Sequence, residues 1–405
     1  MSNPVSNPVS NAVSSSPSNA PHEGRKPRLL VQKYGGTSVG TIERIRAVAQ
    51  RVASARAAGF DVVVVASAMS GETNRLIALG QQLSKRPDPR EMDALVATGE
   101  QVSVALLAIA LHDLGVPARS LTGFQVKLRT DSAFMKARIR GIDAEQLIET
   151  ARQGVVPIVA GFQGVDDEGN TTTLGRGGSD TTAVAIAAAL GQGVACEIYT
   201  DVDGVYTADP NVCPNARKVR RISYEEMLEL ASLGAKVLQI RSVELAMKYA
   251  VPVHVRTSFS DAEGTWVVNE DESLESVVVA GVTSDKNEAK VTIRRVEDKP
   301  GRAAGLFEAL ADARIDGRCR DARRPDGSAR PLTFTVLEKN GSISARIAEL
   351  QVFASHEIFV ARGRGEGARS SASACARTRA WRPRCSGCSP TRGSTSRRSP
   401  RAGSR

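Results

Sequence analysis

Three of the four residues in Gly175-Arg176-Gly177-Gly178 are glycines, and Ser179, Asp180, Thr181-Thr182 and the apolar run Ala183–Leu190 follow directly. Glycine permits backbone conformations and close approaches that a side chain blocks. The run after Asp180 reads as a helix, so a cation, a hydroxyl and a carboxylate sit where a polar loop opens onto a helix N-terminus. Free N–H groups and the helix dipole favour anions at such a place. The chemistry this suggests is capture of an anionic ligand, with Arg176 as a guanidinium clamp for a carboxylate or phosphate. A Gly-rich turn with a solvated Arg fits the same residues.

A second cluster lies near the start. Arg28–Tyr34 reads as a buried strand running into Gly35-Gly36-Thr37-Ser38-Val39-Gly40, and Ile42, Ile45, Val48, Ala49 and Val52 fall on one helical face over Thr41–Ala58. Strand, Gly-rich turn and helix together hold phosphates on backbone N–H groups, and Lys33 at the strand end is placed to reach them. The loop is not a Walker A motif, because the Lys precedes the glycines. An ordinary strand–helix turn is the alternative. The Val run Asp61–Ala66 reads as a strand covered on both faces, and its end, Ser67-Ala68-Met69-Ser70-Gly71, is a loop of the kind that binds ligands at the edge of open sheets. The apolar spacing predicts one long helix over Glu91–Leu111. A Gly inside a helix costs about 1 kcal/mol against Ala, so Gly99 implies a close neighbour. Glu100 is then a solvated helix charge or a partner for a substrate ammonium.

The elements that must position these groups alternate along the chain. Val155–Gly161 reads as a strand, Asp166–Thr173 as a polar hairpin connection, Ala195–Tyr199 as a strand, and Thr200–Pro210 as a long loop. That loop carries Asp201, Asp203 and Asp209 but lacks the terminal Glu of a calcium loop. Ser223 with Glu226 forms a capping box for a helix over Ser223–Leu233. Lys236 precedes a further helix, Val237–Tyr249, and a strand, Val251–Arg256. The alternation over 28–283 predicts an α/β fold with a mainly parallel sheet covered on both faces. Residues 1–27, rich in Ser, Asn and Pro, read as a disordered leader.

The net charge of +10 is unevenly placed. Residues 361–405 hold twelve Arg against one Glu, whereas the first 360 residues carry 42 basic and 43 acidic side chains. The basic balance belongs to the tail and does not mark a nucleic-acid-binding body. Six Cys without a regular framework suit a reducing compartment. No secretory signal is evident, and no apolar run reaches the roughly 18 residues of a membrane span. The expectation is a cytoplasmic protein with no nucleic-acid or membrane partner.

Taken together, these stretches resemble the aspartokinases of the amino-acid kinase superfamily. The likeness rests on Lys33-Tyr34-Gly35-Gly36-Thr37-Ser38-Val39-Gly40, on Gly161-Phe162-Gln163-Gly164, on Thr173–Thr182, and on Cys196–Pro210. It implies a three-layer α/β/α kinase fold over 28–283 and ATP-dependent phosphorylation of the side-chain carboxylate of L-aspartate, with magnesium accompanying ATP. It also implies roles. Lys33 and Asp180 would be catalytic. Thr73, Glu100, Arg176 and Ser179 would bind aspartate. Lys33, Tyr34, Gly35, Gly36, Ser67, Thr200, Asp201, Tyr206 and Lys236 would line the ATP site, and no all-protein metal site is expected. Glutamate 5-kinase, acetylglutamate kinase and a catalytically silent regulatory chain are the alternative functions; Tyr34 and the long Thr200–Pro210 loop favour aspartate.

Lys290–Val296, the turn Glu297–Ala303 and a helix over Ala304–Ala313 resemble the start of an ACT domain, the family's regulatory module, through which protomers pair. The likeness implies a homo-oligomer and an ACT-like unit over 286–360. It fails after Ile315, where Asp316–Arg330 holds five Arg and no aliphatic alternation, and resumes at Leu332–Val336. Residues 361–405 contain no Ile, Leu, Val, Phe, Met or Tyr, and such a segment builds no core. An Arg-rich nucleic-acid arm or a Cys385-x-x-Cys388 metal site would lack aromatic interleaving in the one case and a second Cys pair in the other. The mixture of Arg, Ala, Gly, Ser and Pro instead suggests GC-rich codons read out of frame. Shifting the frame by one base over Arg369–Ser404 admits a strand-helix-strand sequence like the family's second ACT half. Sequencing the gene tests this: the shifted frame is expected to encode that pattern, and a frame unable to encode it ends the hypothesis.

Overall fold

A computed structural model describes residues 28–269 except Leu233 and Lys236, and beyond them 281–283, 288–296, 304–305, 307–308, 310, 317–320, 330–337, 357–362 and 369–371. The chain begins with β1 (Leu29–Tyr34), α1 (Ile42–Ala57), β2 (Asp61–Ala66), α2 (Glu72–Leu83), α3 (Pro89–Val96), α4 (Thr98–Asp113) and β3 (Ala118–Leu121). It continues through β4 (Arg129–Thr130), β5 (Ile139–Gly141), α5 (Glu145–Arg152), β6 (Val156–Ala160), β7 (Gln163–Val165), β8 (Thr171–Thr173), α6 (Gly178–Leu190) and β9 (Ala195–Thr200). β10 (Val205–Tyr206), β11 (Lys218–Val219), β12 (Arg221–Ser223), α7 (Tyr224–Ser232), α8 (Ile240–Tyr249), β13 (Val253–Thr257) and β14 (Thr265–Val268) follow.

An eight-stranded sheet in the order β12-β14-β13-β9-β1-β2-β6-β3 forms the centre. Its strands from β13 to β3 pair in parallel, and β14 runs antiparallel to β13. The Val run of β2 shows why: Val63 and Val65 join the core with Val184 and Ile186 of α6 and Val243 of α8, while Val62 and Val64 join Val48 and Val52 of α1 and Leu107 and Leu111 of α4. Apolar side chains on both faces demand cover on both, and helices supply it. The resulting three-layer α/β/α body matches the expected fold. Caps also form as the sequence implies. Thr41 accepts the Arg44 N–H at 3.3 Å, and Ser223 and Glu226 exchange backbone-to-side-chain bonds at 3.2 and 3.1 Å.

The expected single helix over Glu91–Leu111 is two helices, α3 and α4, separated by Ala97. Gly99 therefore sits in the first turn of α4, where a Cβ would stand 3.0 Å from the Ala68 Cβ. The close neighbour is the loop after β2. By length and composition alone the span Pro89–Asp113 is apolar enough to cross a membrane, and half of its apolar window is buried inside the protein. It carries the buried carboxylates Asp93 and Glu100 and packs on α1 and β3, as a core helix does.

On the face of the sheet away from α6, a polar network ties neighbouring strands together. Glu197 of β9 accepts the Gln32 amide of β1 at 2.8 Å, the Tyr199 hydroxyl at 3.0 Å and the Arg256 guanidinium of β13 at 3.1 Å. Burial works against ionisation of Glu197, but His254 at 3.8 Å and these three partners hold its carboxyl down at about 2. The charge spans β1, β9 and β13 and resists any slip in their register.

Beyond the three-layer body lie β15 (Gly281–Thr283), β16 (Glu288–Val296), β17 (Gly317–Arg320), β18 (Arg330–Leu337), β19 (Glu357–Arg362) and β20 (Arg369–Ser371). Four of them form an antiparallel sheet in the order β17-β18-β16-β19. Val291, Ile293, Leu310, Phe334 and Val336 are buried there, and the Phe307 and Phe334 rings meet edge to face at 5.8 Å. The Arg-rich stretch after Ile315 does contribute a strand, β17, and the tail after residue 361 completes β19 and forms β20 against β15. Ladder bonds use the backbone, and a charged sequence is tolerated on a sheet edge, where β17 lies. The leader, the rest of the tail and half of the helix expected over Ala304–Ala313 lie outside the described residues.

Candidate active site at the strand ends

Strand alternation sends Lys33 and Tyr34 to opposite faces of β1. Lys33 reaches the α6 side, where its Nζ lies 2.6 Å from Oδ1 of Asp180 in the first turn of that helix. Both residues are 8% exposed. A pair so desolvated persists because each charge answers the other; removing either partner would leave an uncompensated buried charge. Gly35 lies beside the ammonium, since a Cβ on it would stand 3.5 Å from Nζ. Gly36 has no room for a side chain at all: its Cβ would fall 2.9 Å from the Ala68 carbonyl oxygen. The loops after β1 and β2 therefore touch, and the Ser67 N–H donates to the Tyr34 carbonyl at 3.1 Å.

Glu100, 3% exposed, rises from α4 beneath this contact. Its Oε1 accepts the Ala68 N–H at 3.1 Å, and its Oε2 has no partner. Burial pushes its carboxyl up to about 7 against the pull of that single N–H. A buried carboxylate with an idle oxygen is an open socket for a cation or a donor. Thr73, half-buried, lies in the first turn of α2, whose Glu72 stem also packs on Gly99. Ser179, 7% exposed, follows Gly178 at the start of α6 and packs on Gly161 at the end of β6.

Arg176 is exposed, between Gly175 at φ +78° and Gly177 at φ +72°. Its loop leads directly into the turn that holds Asp180 on Lys33, so cation, ion pair and helix N-terminus share one end of the sheet. Thr200 ends β9 and donates to the exposed Asp201 at 3.0 Å. The Tyr206 hydroxyl donates to Asp203 at 2.9 Å, and Asp203 also binds Lys218 at 2.9 Å. Lys236 lies outside the described residues.

The Tyr34 side chain points away from Lys33. The ring is fully buried on the α1 side, stacked on Tyr199 at 4.8 Å, with its hydroxyl donated to Gln32 at 3.2 Å. Only its backbone borders the site. Sequence reasoning missed Phe162, a non-glycine residue at φ +67° beside Gly178, and missed the polar side chains that fasten the Gly175 loop. Among the described residues no group of three His, Cys, Asp or Glu side chains could hold a metal ion. Cys196 is buried and Cys213 exposed, both as free thiols.

The arrangement provides anion-binding N–H groups, two cations and a buried acceptor at the carboxyl edge of a parallel sheet, which is equipment for transferring a charged group between two anions. Comparison with known proteins agrees. The profile of the amino acid kinase family matches residues 28–257. An aspartate kinase of Stutzerimonas stutzeri is 54% identical over 309 residues, covering 76% of this chain and 75% of that protein. An aspartokinase of Mycolicibacterium smegmatis is 49% identical over 318 residues, covering 77% and 75%. Among solved structures, E. coli aspartokinase III in complex with aspartate and ADP superposes with a TM-score of 0.68 at 27% identity, covering 82% of this chain and 85% of that one. The aspartate kinase from Synechocystis superposes with a TM-score of 0.55 at 45% identity; the match takes in 83% of this chain and 58% of that longer one. On fold, site and likeness together, the chain belongs to the amino acid kinase family, among its aspartate kinases.

Proposed function

We propose that Lys33, Asp180, Arg176 and Glu100 divide the work of the aspartate kinase reaction, in which ATP phosphorylates the side-chain carboxylate of L-aspartate to give 4-phospho-L-aspartate. The observation that carries this division is the buried Lys33–Asp180 pair at the mouth of the Gly35-Gly36 turn, 2.6 Å between its charges. The acceptor carboxylate is ionised at neutral pH, so the reaction needs no strong base. Its obstacle is the approach of one anion to another, and positioning with charge neutralisation must overcome it. A carboxylate oxygen attacks the γ-phosphorus, the bond to the β–γ bridging oxygen breaks, and ADP leaves with that electron pair.

In this division Lys33 draws charge from the transferring phosphoryl group, and Gly35 and Gly36 let the phosphates come close to the backbone. Asp180 orients the ammonium and balances it between turnovers. Arg176 takes the α-carboxylate of aspartate, Glu100 takes its ammonium on Oε2, and Thr73 and Ser179 complete the pocket. Thr200, Asp201, Tyr206 and Lys236 lie towards the nucleotide, with Ser67 and the Tyr34 backbone at the phosphate end. Magnesium would arrive with ATP. Such an ion would be held chiefly by phosphate oxygens and water. It would supply further neutralisation of phosphate charge.

The product suits the biosynthetic route to lysine, threonine, methionine and diaminopimelate, in the cytoplasm. The antiparallel sheet of β16 to β19 is one regulatory module of ACT type. The departure of the sequence from the family pattern after Ile315 is expected to weaken pairing of such modules between protomers, and with it feedback control.

Two experiments test the assignments. Arg176→Ala should raise the aspartate KM by about a hundredfold while changing the ATP KM by less than about threefold, as loss of a charge-assisted bidentate contact to one substrate demands; an equal effect on both substrates removes the clamp. For Glu100, the folded carboxyl titrates at about 7 against an ordinary value of 4.5. The ligand-free fold then binds an extra proton between those values, so the contribution of Glu100 is complete below about 4.5 and is lost as pH rises through about 7. Denaturation of Glu100→Gln should accordingly show a flatter pH profile and a gain of up to about 3 kcal/mol over the parent at pH 8, together with a raised aspartate KM. A parent profile that stays level from pH 5 to pH 8 contradicts the burial argument.

A further inference from the structure

A clamp is only as good as the backbone that aims it. The loop bearing Arg176 is flanked by two glycines in the left-handed region, and glycine has the most conformational freedom to lose on ordering. Among the described residues the Arg176 side chain makes no hydrogen bond or ion pair, so nothing at its own tip fixes it. The loop is instead fastened by three polar side chains from other elements, each bonded to backbone.

Asp93 of α3 is wholly buried. One of its oxygens accepts the N–H groups of Met135 at 2.9 Å and Thr173 at 2.8 Å, and the other accepts the Thr173 hydroxyl at 2.5 Å. Met135 is a non-glycine residue at φ +66°, and its carbonyl oxygen lies 2.9 Å from where a Cβ on Gly175 would stand. Asp93 thus holds both the residue two before Gly175 and the turn against which Gly175 is pressed. Arg241 of α8 comes from the other side. Its Nη1 donates to the Leu174 carbonyl at 2.7 Å and its Nη2 to the Ala137 carbonyl at 2.9 Å. The planar fork thereby joins the strand leading into the loop to the Met135 turn. Gln239, the N-cap of α8, donates from Nε2 to the carbonyl of Arg176 itself at 2.7 Å and accepts the Ile240 N–H on Oε1 at 3.2 Å. Both ends of that amide are occupied, which sets its orientation.

We propose that Asp93 and Arg241, with Gln239, are positioning residues for aspartate: they hold the Gly175–Gly177 backbone so that the Arg176 guanidinium meets the α-carboxylate already aimed. The proposal rests on the reading of Arg176 as the clamp. It explains why a carboxylate and a guanidinium, neither paired with an opposite charge through a hydrogen bond, are both bonded to backbone of one small region. Without them the two glycines would let the loop sample many directions, and the cost of ordering it would be charged against aspartate and not against ATP.

Steady-state kinetics on the full chain decide it. Arg241→Met and Asp93→Asn should each raise the aspartate KM about tenfold, the worth of one charge-assisted hydrogen bond. The ATP KM and kcat should stay within about threefold. Arg241→Lys, which cannot bond both carbonyls as a fork, should fall between parent and Met. In an Arg176→Ala background, Arg241→Met should move the aspartate KM by less than about twofold, because the group it aims is gone. A purely structural role would lower Tm and the yield of active enzyme while leaving the ratio of the two KM values unchanged, and that result overturns the proposal. If Arg176→Ala raises the aspartate KM and the Arg241 and Asp93 variants do not, positioning alone is refuted; if Arg176→Ala has no effect on aspartate, the clamp reading falls first. Should Asp93→Asn fail to fold, Gln239→Ala, whose hydrogen bond to this loop goes to the Arg176 carbonyl while its stem packs on Gly177, is read in its place and must show the same selective rise.

Discussion

A lysine and an aspartate held 2.6 Å apart in a nearly dry site are the constraint around which this molecule is built. Neither charge would be tolerated there alone, so the end of β1 and the first turn of α6 must be kept in contact. The eight-stranded sheet does this from below. Lys33 is paired in register with Val65 of β2 and Ile198 of β9, and the Glu197 network on the opposite face prevents those strands from slipping. The almost entirely buried α6 does it from above: its side chains from Gly178 to Ala187 are packed against sheet and helices, so its N-terminus has little freedom to move.

The site thus joins two kinds of electrostatic strategy. At the Lys33 end, opposite charges are already matched and a phosphoryl group would be met by a cation whose orientation is set. At the Glu100 end, a carboxyl is left half-satisfied, with burial raising its affinity for a proton until a cationic partner takes the proton's place. Arg176 stands on a loop whose own bonds are few but whose backbone is held by Asp93, Arg241 and Gln239. In the proposed division, Glu100 would answer the ammonium of the substrate and Arg176 its α-carboxylate, which leaves the side-chain carboxylate to attack the phosphoryl group that Lys33 neutralises.

Much of this could be read from the chain itself, and the reasons differ by residue. The Val run of β2 announced a strand covered on both faces, because period-two burial on each side leaves no polar position. Ser223 and Glu226 announced a helix start, because a capping box is local. Lys33 and Asp180 were nominated from separate motifs, and the structure brings them together. That the Tyr34 ring turns away from Lys33 was also legible, since adjacent residues of a strand face opposite ways. The interruption at Ala97 had no local mark, since neither Pro nor Gly stands there, and it follows from the approach of α4 to the Ala68 loop. Asp93 left a faint trace, a carboxylate between Met92 and Val96 on a buried helix face. Arg241 and Gln239 left none, because their bonds reach backbone carbonyls more than sixty residues away in sequence.

The central claim is that the Lys33 ammonium acts on the phosphoryl group in flight and not on the binding of either substrate. The measurement closest to it is kcat for Lys33→Met at saturating aspartate and MgATP, beside direct titration of aspartate binding. The account predicts a fall in kcat of about a thousandfold or more, the scale of losing a preorganised charge at the reacting centre, with aspartate affinity within a few-fold of the parent. A variant that keeps kcat, or one that loses aspartate binding while phosphorylating normally at saturation, would contradict it.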